Sequence, residues 1–161
     1  MLVVDANVVL EVLYKRGRWR EAKAFLDRVK RGELNACMLH FAVHAISAML
    51  GEPRLASRFL RELASWRGLG VVDLSIEEEA LAADLAEKVG LDFDDGLHYY
   101  VAKKLGAMIV SYDKDFDGLD VERLEPQDLL EPGRQLTPDP SHLNPHFSQL
   151  RRVGFRVPVE D

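Results

Sequence analysis

In the stretch "LDFDDGLHYYVAKKLG" (91–106), Asp92, Asp94 and Asp95 crowd the mouth of a segment patterned as a helix. One carboxylate there can cap the helix, an interaction worth about 1 kcal/mol, and the helix dipole favours a second. A single aspartate suffices for the cap, so the crowding asks for a further reason. Asp5 ends the apolar run "LVVD". Asp113 lies two residues past the run "AMIVS", in a loop, "SYDKDFDG", that also holds Asp115 and Asp117. Like charges that meet repel strongly unless protons or a cation intervene. Oxygen donors of this kind suit Mg2+ or Mn2+, and such an ion lowers the pKa of bound water and shields a phosphate under attack. No Cys/His cluster at finger spacing accompanies them, which argues against structural zinc.

The elements that must bring these residues together are legible in outline. "LVVD" (2–5) reads as a short buried strand, followed by a helix over "NVVLEVLYKRG" that stops at Gly17. Trp19, Ala22, Phe25, Leu26 and Val29 form the apolar stripe of a second helix. A short strand over 34–39 leads into the helix "FAVHAISAMLG", and Pro53 opens another at an allowed first-turn position. "GVVDLS" (70–75) is expected as a strand. Ser75 then begins a helix, with Glu78 at the spacing of a capping box. After the 91–106 helix come strands expected over 107–111 and 121–124. Strands alternating with helices predict a mainly parallel sheet covered on both sides. In such a sheet, ligands bind at the carboxyl ends of the strands, where Asp5 and Asp113 fall. Read singly, Asp5 is either the cap of the next helix or a site residue. Asp113 is either a turn former or a ligand, and Asp94 or Asp95 either the cap or part of the site.

Of 161 residues, 47% are apolar and 30% charged, the balance of a globular chain. No apolar run approaches the roughly 20 residues of a membrane helix. Asp5 interrupts the first such run, which excludes a signal peptide. A lone Cys37 forms no internal disulfide and fits a reducing cytoplasm. Scarce Asn and Gln beside abundant Glu, Arg and Leu lean towards a thermophile. The net charge of −6 is uneven: residues 1–68 hold 12 Lys/Arg against 7 Asp/Glu, and residues 69–130 hold 5 against 16. That split reads either as solvated helix faces or as a phosphate-contacting surface beside a cation site. Residues 1–130 are expected as one domain. Residues 131–161, with five of the seven prolines, read as an extension or arm.

These residues also carry a family resemblance. "VVDANVVLEVL" resembles the opening motif of PIN-domain nucleases, a strand ending in Asp followed by x-Asn or x-Ser. "FDDGLHYYVAKKLGAMIVSYDKDFD" resembles their later motifs, an Asp at a helix start and then a strand ending Ser/Thr-x-Asp with Phe three residues on. The resemblance covers about residues 1–130 and implies a three-layer α/β/α sandwich with a central, mainly parallel sheet. It implies Asp5, Asp95 and Asp113 as catalytic, metal-binding aspartates, with Ser111 as the hydroxyl of the last motif; beside them Asp117 is read as a further ligand or as a residue behind the ligands, and Asn7 and Asp94 as supporting residues. It also implies a Mg2+- or Mn2+-dependent ribonuclease, usually a homodimer, similar to the VapC-type toxins that pair with an antitoxin protein. Lys15, Arg16, Arg18 and Arg20 of the basic half are then the expected contacts to the RNA backbone.

One position departs from the pattern. Such nucleases usually carry a glutamate near the start of the third helix, and here that position falls on His44, with His40 four residues earlier. His44 is read as an imidazole ligand, as a packing histidine beside a competent three-aspartate site, or as the mark of a degenerate one. The last reading makes the chain a module that binds RNA or protein without cutting. A phosphatase of the haloacid-dehalogenase type also begins with a strand ending in Asp. Its chemistry needs a second Asp two residues on, and here Asn7 stands there.

Overall fold

The computed structural model describes residues 1–131; the proline-rich arm expected over 131–161 therefore lies, but for its first residue, outside the described residues. Five parallel strands form one sheet: β1 (Leu2–Val4), β2 (Ala36–Leu39), β3 (Leu69–Val72), β4 (Met108–Val110) and β5 (Arg123–Leu124). The helices are α1 (Ala6–Leu13), α2 (Trp19–Lys30), α3 (His40–Met49), α4 (Pro53–Ala64), α5 (Ile76–Val89) and α6 (Phe93–Leu105). The expected α/β/α sandwich is what forms, and its sheet is wholly parallel.

The strand order, β3-β2-β1-β4-β5, decides where a site can sit. From β1 the chain steps outward through β2 to β3, then returns to the other side of β1 as β4. Parallel crossovers are right-handed, so α1–α4 cover one face and α5 and α6 the other. Contacts of α1 with α3 and of α3 with α4, and the tight pairing of α5 with α6, follow that division. The order reverses between β1 and β4, and it is outside the carboxyl ends of the strands at such a switch point that open parallel sheets bind their ligands.

Leu2, Val3, Ile109, Phe25 and Phe116 are all essentially inaccessible, and strands buried on both faces read as continuous apolar runs without alternation. β1 pairs with β4 through Leu2–Met108, Val3–Ile109 and Val4–Val110, which sets Asp5 level with Ser111. The backbone N–H of Asp5 donates to the Val110 carbonyl at 3.0 Å, holding the two strand ends together beyond the register.

Several boundaries differ from the expected ones, each for a local reason. The first helix ends at Leu13 and does not reach Gly17. Lys15 turns into the left-handed region at φ 47°, and the Glu11 carboxylate accepts the Arg18 N–H at 2.6 Å, closing the turn into α2. The strand expected over 70–75 stops at Val72. Ser75 instead caps α5, with the reciprocal Ser75–Glu78 capping box present. The strand expected over 121–124 is reduced to Arg123–Leu124. No helix among the described residues is long and apolar enough to cross a membrane.

Candidate metal centre

Asp5 answers to both of its readings. Its backbone is extended and its side chain caps α1, accepting the Asn7 N–H at 3.4 Å. It is also buried on the rim, only 8% exposed. Its Oδ2 accepts the Ser111 hydroxyl at 2.6 Å and the Asn7 side-chain amide at 2.9 Å. Ser111, fully buried, accepts the Asp113 N–H at 2.9 Å, while Asn7 Oδ1 accepts the Tyr112 N–H at 3.2 Å. Asn7 and Ser111 thus tie the ends of β1 and β4 together and leave Asp5 Oδ1 turned inward. Charge-assisted bonds of this kind fix a carboxylate's orientation as well as its position.

The first turn of α6 faces that clamp. Asp92, not Asp94 or Asp95, is the N-cap: its carboxylate accepts the Asp95 N–H at 2.9 Å. The cap therefore accounts for one aspartate of the three and releases Asp95 to the rim. Asp113 caps a 3-10 turn at Lys114–Phe116, accepting the Asp115 N–H at 2.9 Å. One carboxylate oxygen each from Asp95, Asp113 and Asp115 lies within 4.8 Å of the other two. Burial first, and then the charges of Asp92, Asp113, Asp5 and Asp115, push the Asp95 carboxyl up to about 7. Asp5 adds its charge to these three, and the charges that act on Asp95 among the described residues are all acidic. The donor set fits a hard divalent ion.

Other expected residues fall elsewhere. Asp117 turns from the rim to a bidentate pair with Arg123, at 2.6 and 3.2 Å, and that guanidinium holds its carboxyl below the usual range. Asp115 takes the place in the cluster expected of Asp117. Asp94 is exposed, and what it brings to the site is its backbone carbonyl. His44 is exposed on α3 with its ring against His40, centroids 4.1 Å apart, and it does not join the converging donors. Lys15, Arg16, Arg18 and Arg20 are all exposed around the α1–α2 turn. Arg18, however, already pairs with Glu125 at 3.0 Å and lies 3.8 Å over the Tyr112 ring.

Sequence reasoning missed His98. It is 3% exposed, directly behind Asp5, with Nε2 4.0 Å from Asp5 Oδ1. The signal was available: three residues after Asp95 on a helix is the same face.

Residues 2–122 match the family model described as PIN domain. No curated protein sequence matches the chain. Among solved structures, the chain is similar to a toxin–antitoxin complex from Klebsiella pneumoniae, at 15% identity and a TM-score of 0.63, covering 78% of this chain and 98% of that one. It is similar to a sarcin–ricin loop cleaving VapC toxin of Mycobacterium tuberculosis, at 16% identity and a TM-score of 0.64, covering 78% and 99%. It is also similar to FitAcB of Neisseria gonorrhoeae, at 18% identity and a TM-score of 0.57, covering 78% and 98%.

Proposed function

The chain belongs to the PIN-domain family, and on that premise we propose that it is a divalent-metal-dependent endoribonuclease, the toxin of a toxin–antitoxin pair. The observation that carries the reading is the convergence of Asp95, Asp113 and Asp115 beside the clamped Asp5, at the rim where the strand order reverses. Support for an antitoxin partner comes from the similar structures, which include a toxin–antitoxin complex; support for RNA comes from one that is a ribosomal-loop cleaving toxin. The proposed setting is the cytoplasm and the proposed assembly a homodimer, for which exposed Met49, Leu55 and Leu60 offer apolar surface.

In this reading Asp5, Asp95, Asp113 and Asp115 hold Mg2+ or Mn2+. When bound, the ion supplies an activated water and stabilises charge on the phosphodiester. Ser111 and Asn7 keep the Asp5 carboxylate from rotating away, so its geometry is set before substrate arrives. Asp95 holds a proton near neutrality while the site lacks an ion and releases it on binding. Lys15, Arg16 and Arg20 meet the RNA backbone as exposed charges, Arg16 and Arg20 each lying over an aromatic ring. Arg18 is held between Glu125 and Tyr112 and is less free to follow a phosphate.

The test is cleavage of a mixed-sequence single-stranded RNA by the full chain with Mg2+, with Mn2+ and with EDTA, beside Asp113→Asn. Cutting that needs a divalent ion and falls at least a hundredfold in the variant is the expected result. RNA bound but uncut with every ion would instead favour the second reading, a non-cutting binding module. The observation behind that reading is His44, exposed and stacked on His40 where such nucleases usually place a glutamate.

A further inference from the structure

We propose that His98 Nε2 is a ligand of the same centre, making it a mixed nitrogen–oxygen site. The proposal rests on the reading of the carboxylates as a divalent-ion site, and it starts from a buried atom with nothing to bond. His98 Nε2 is the buried side-chain polar atom among the described residues that lacks a hydrogen-bond partner. The other ring nitrogen, Nδ1, lies 2.9 Å from the Asp94 carbonyl oxygen. A carbonyl only accepts, so Nδ1 carries a hydrogen, and the tautomer with its one hydrogen there has its lone pair on Nε2.

Asp5 lies close to that nitrogen. The separation from Nε2 to Asp5 Oδ1 is 4.0 Å, too long for a hydrogen bond and across a buried gap. Oδ2 of the same carboxylate is already taken by Ser111 and Asn7. Oδ1 itself accepts only the long Asn7 N–H bond, at 3.4 Å, and a buried Nε2 with no partner at all is costly to leave unmade. A first-row or magnesium cation sits roughly 2.0–2.2 Å from nitrogen and oxygen donors, so one ion spans this gap at a wide donor–metal–donor angle. Histidines that bind metals typically donate their second N–H to a backbone carbonyl or carboxylate, which sets the tautomer. Here the Asp94 carbonyl does that.

The placement on α6 adds to the argument. His98 follows Asp95 by three residues on one helical face; it stands outside the close group of Asp95, Asp113 and Asp115, so an ion that takes Nε2 must lie on the Asp5 side of that group. A histidine kept for packing alone would have Nε2 satisfied by a neighbour or turned to solvent, and it is neither. The chemical consequence is a change of preference. A nitrogen donor moves an otherwise all-oxygen site from Mg2+ towards Mn2+ and the later first-row ions.

The test is pulsed electron paramagnetic resonance of Mn2+ bound to the untagged full chain, read for nitrogen coupling from a coordinated imidazole. Coupling is expected in the wild type and in His44→Ala. It is expected to disappear in His98→Gln, together with a loss of Mn2+ affinity on the order of tenfold or more and little change for Mg2+. If His98→Gln does not fold, replacing His40, His44, His142 and His146 by Ala leaves His98 as the only histidine; coupling must then persist. Mn2+ bound without nitrogen coupling overturns the His98 ligand and leaves the carboxylate site standing. Coupling that survives in His98→Gln overturns it too. No Mn2+ binding at all overturns both.

Discussion

Asp95→Asn is expected to yield a protein that is more stable than the wild type at pH 8 and at least a hundredfold less active on RNA. Burial and the charges of Asp92, Asp113, Asp5 and Asp115 raise the Asp95 carboxyl from 3.8 to about 7. A raised carboxylate pKa means that the folded state resists ionisation more than the unfolded one. The penalty is fully present above pH 7, shrinks as pH falls from 7 towards 4, and is absent below the unfolded value. Three units would amount to about 4 kcal/mol in a dry site. Solvent screens a partly exposed carboxylate, which brings the expected gain for asparagine to on the order of 1–2 kcal/mol at pH 8. Urea midpoints of both proteins in EDTA, at pH 8 and pH 4.5, measure it: the variant leads at pH 8 and the difference narrows at pH 4.5. Equal stability at pH 8 would mean that the carboxylates do not repel one another as their positions demand. Saturating Mn2+ should reverse the order, because only the charged site gains from the ion.

Gly96→Ala is the second large effect, and it acts through packing. A Cβ at Gly96 would lie 2.4 Å from the Ala86 Cβ and 3.3 Å from the Ala82 carbonyl oxygen. The first distance is far inside van der Waals contact, so α6 must move away from α5. Alanine gains about 1 kcal/mol of helix propensity over glycine, while overpacking of this kind costs about 1–3 kcal/mol or more. The net expectation is a loss of stability of roughly 1–2 kcal/mol. The displaced helix carries Asp95 and His98, so Mn2+ affinity should fall as well. Ala86→Gly in the same chain removes the opposing methyl group. It should restore the affinity and bring stability back close to the wild-type value, because the interior glycine removed from α6 offsets the one introduced into α5. Affinity lost in Gly96→Ala and not recovered in the double variant would place the fault elsewhere than the α5–α6 contact.

Much of this site could be read before any coordinates. Asp5, Asp95 and Asp113 declare themselves because strand ends and a helix start are visible in apolar runs and breakers, and a parallel sheet gathers its strand ends on one rim. What remained hidden depends on partners far along the chain. Asp115 and Asp117 look alike in "DKDFD"; Arg123, on β5, draws Asp117 away and leaves Asp115 to the cluster. The cap was legible in part: Asp92 and Asp95 stand at capping spacing, yet three aspartates in a row of four positions blur the choice that the backbone makes for Asp92. The histidines show the same limit. His44 drew notice by standing where a glutamate is usual, whereas His98 sits in an ordinary helical run and matters only because β1 passes behind it.

Calorimetric titration of Mn2+ into the untagged full chain at pH 8 and at pH 6 tests the centre most directly. Saturable binding is predicted at pH 8, about tenfold weaker at pH 6 as the proton on Asp95 begins to compete, and lost in Asp113→Asn. The absence of saturable Mn2+ uptake at both pH values would contradict the account, leaving four clustered aspartates with no ion to explain them.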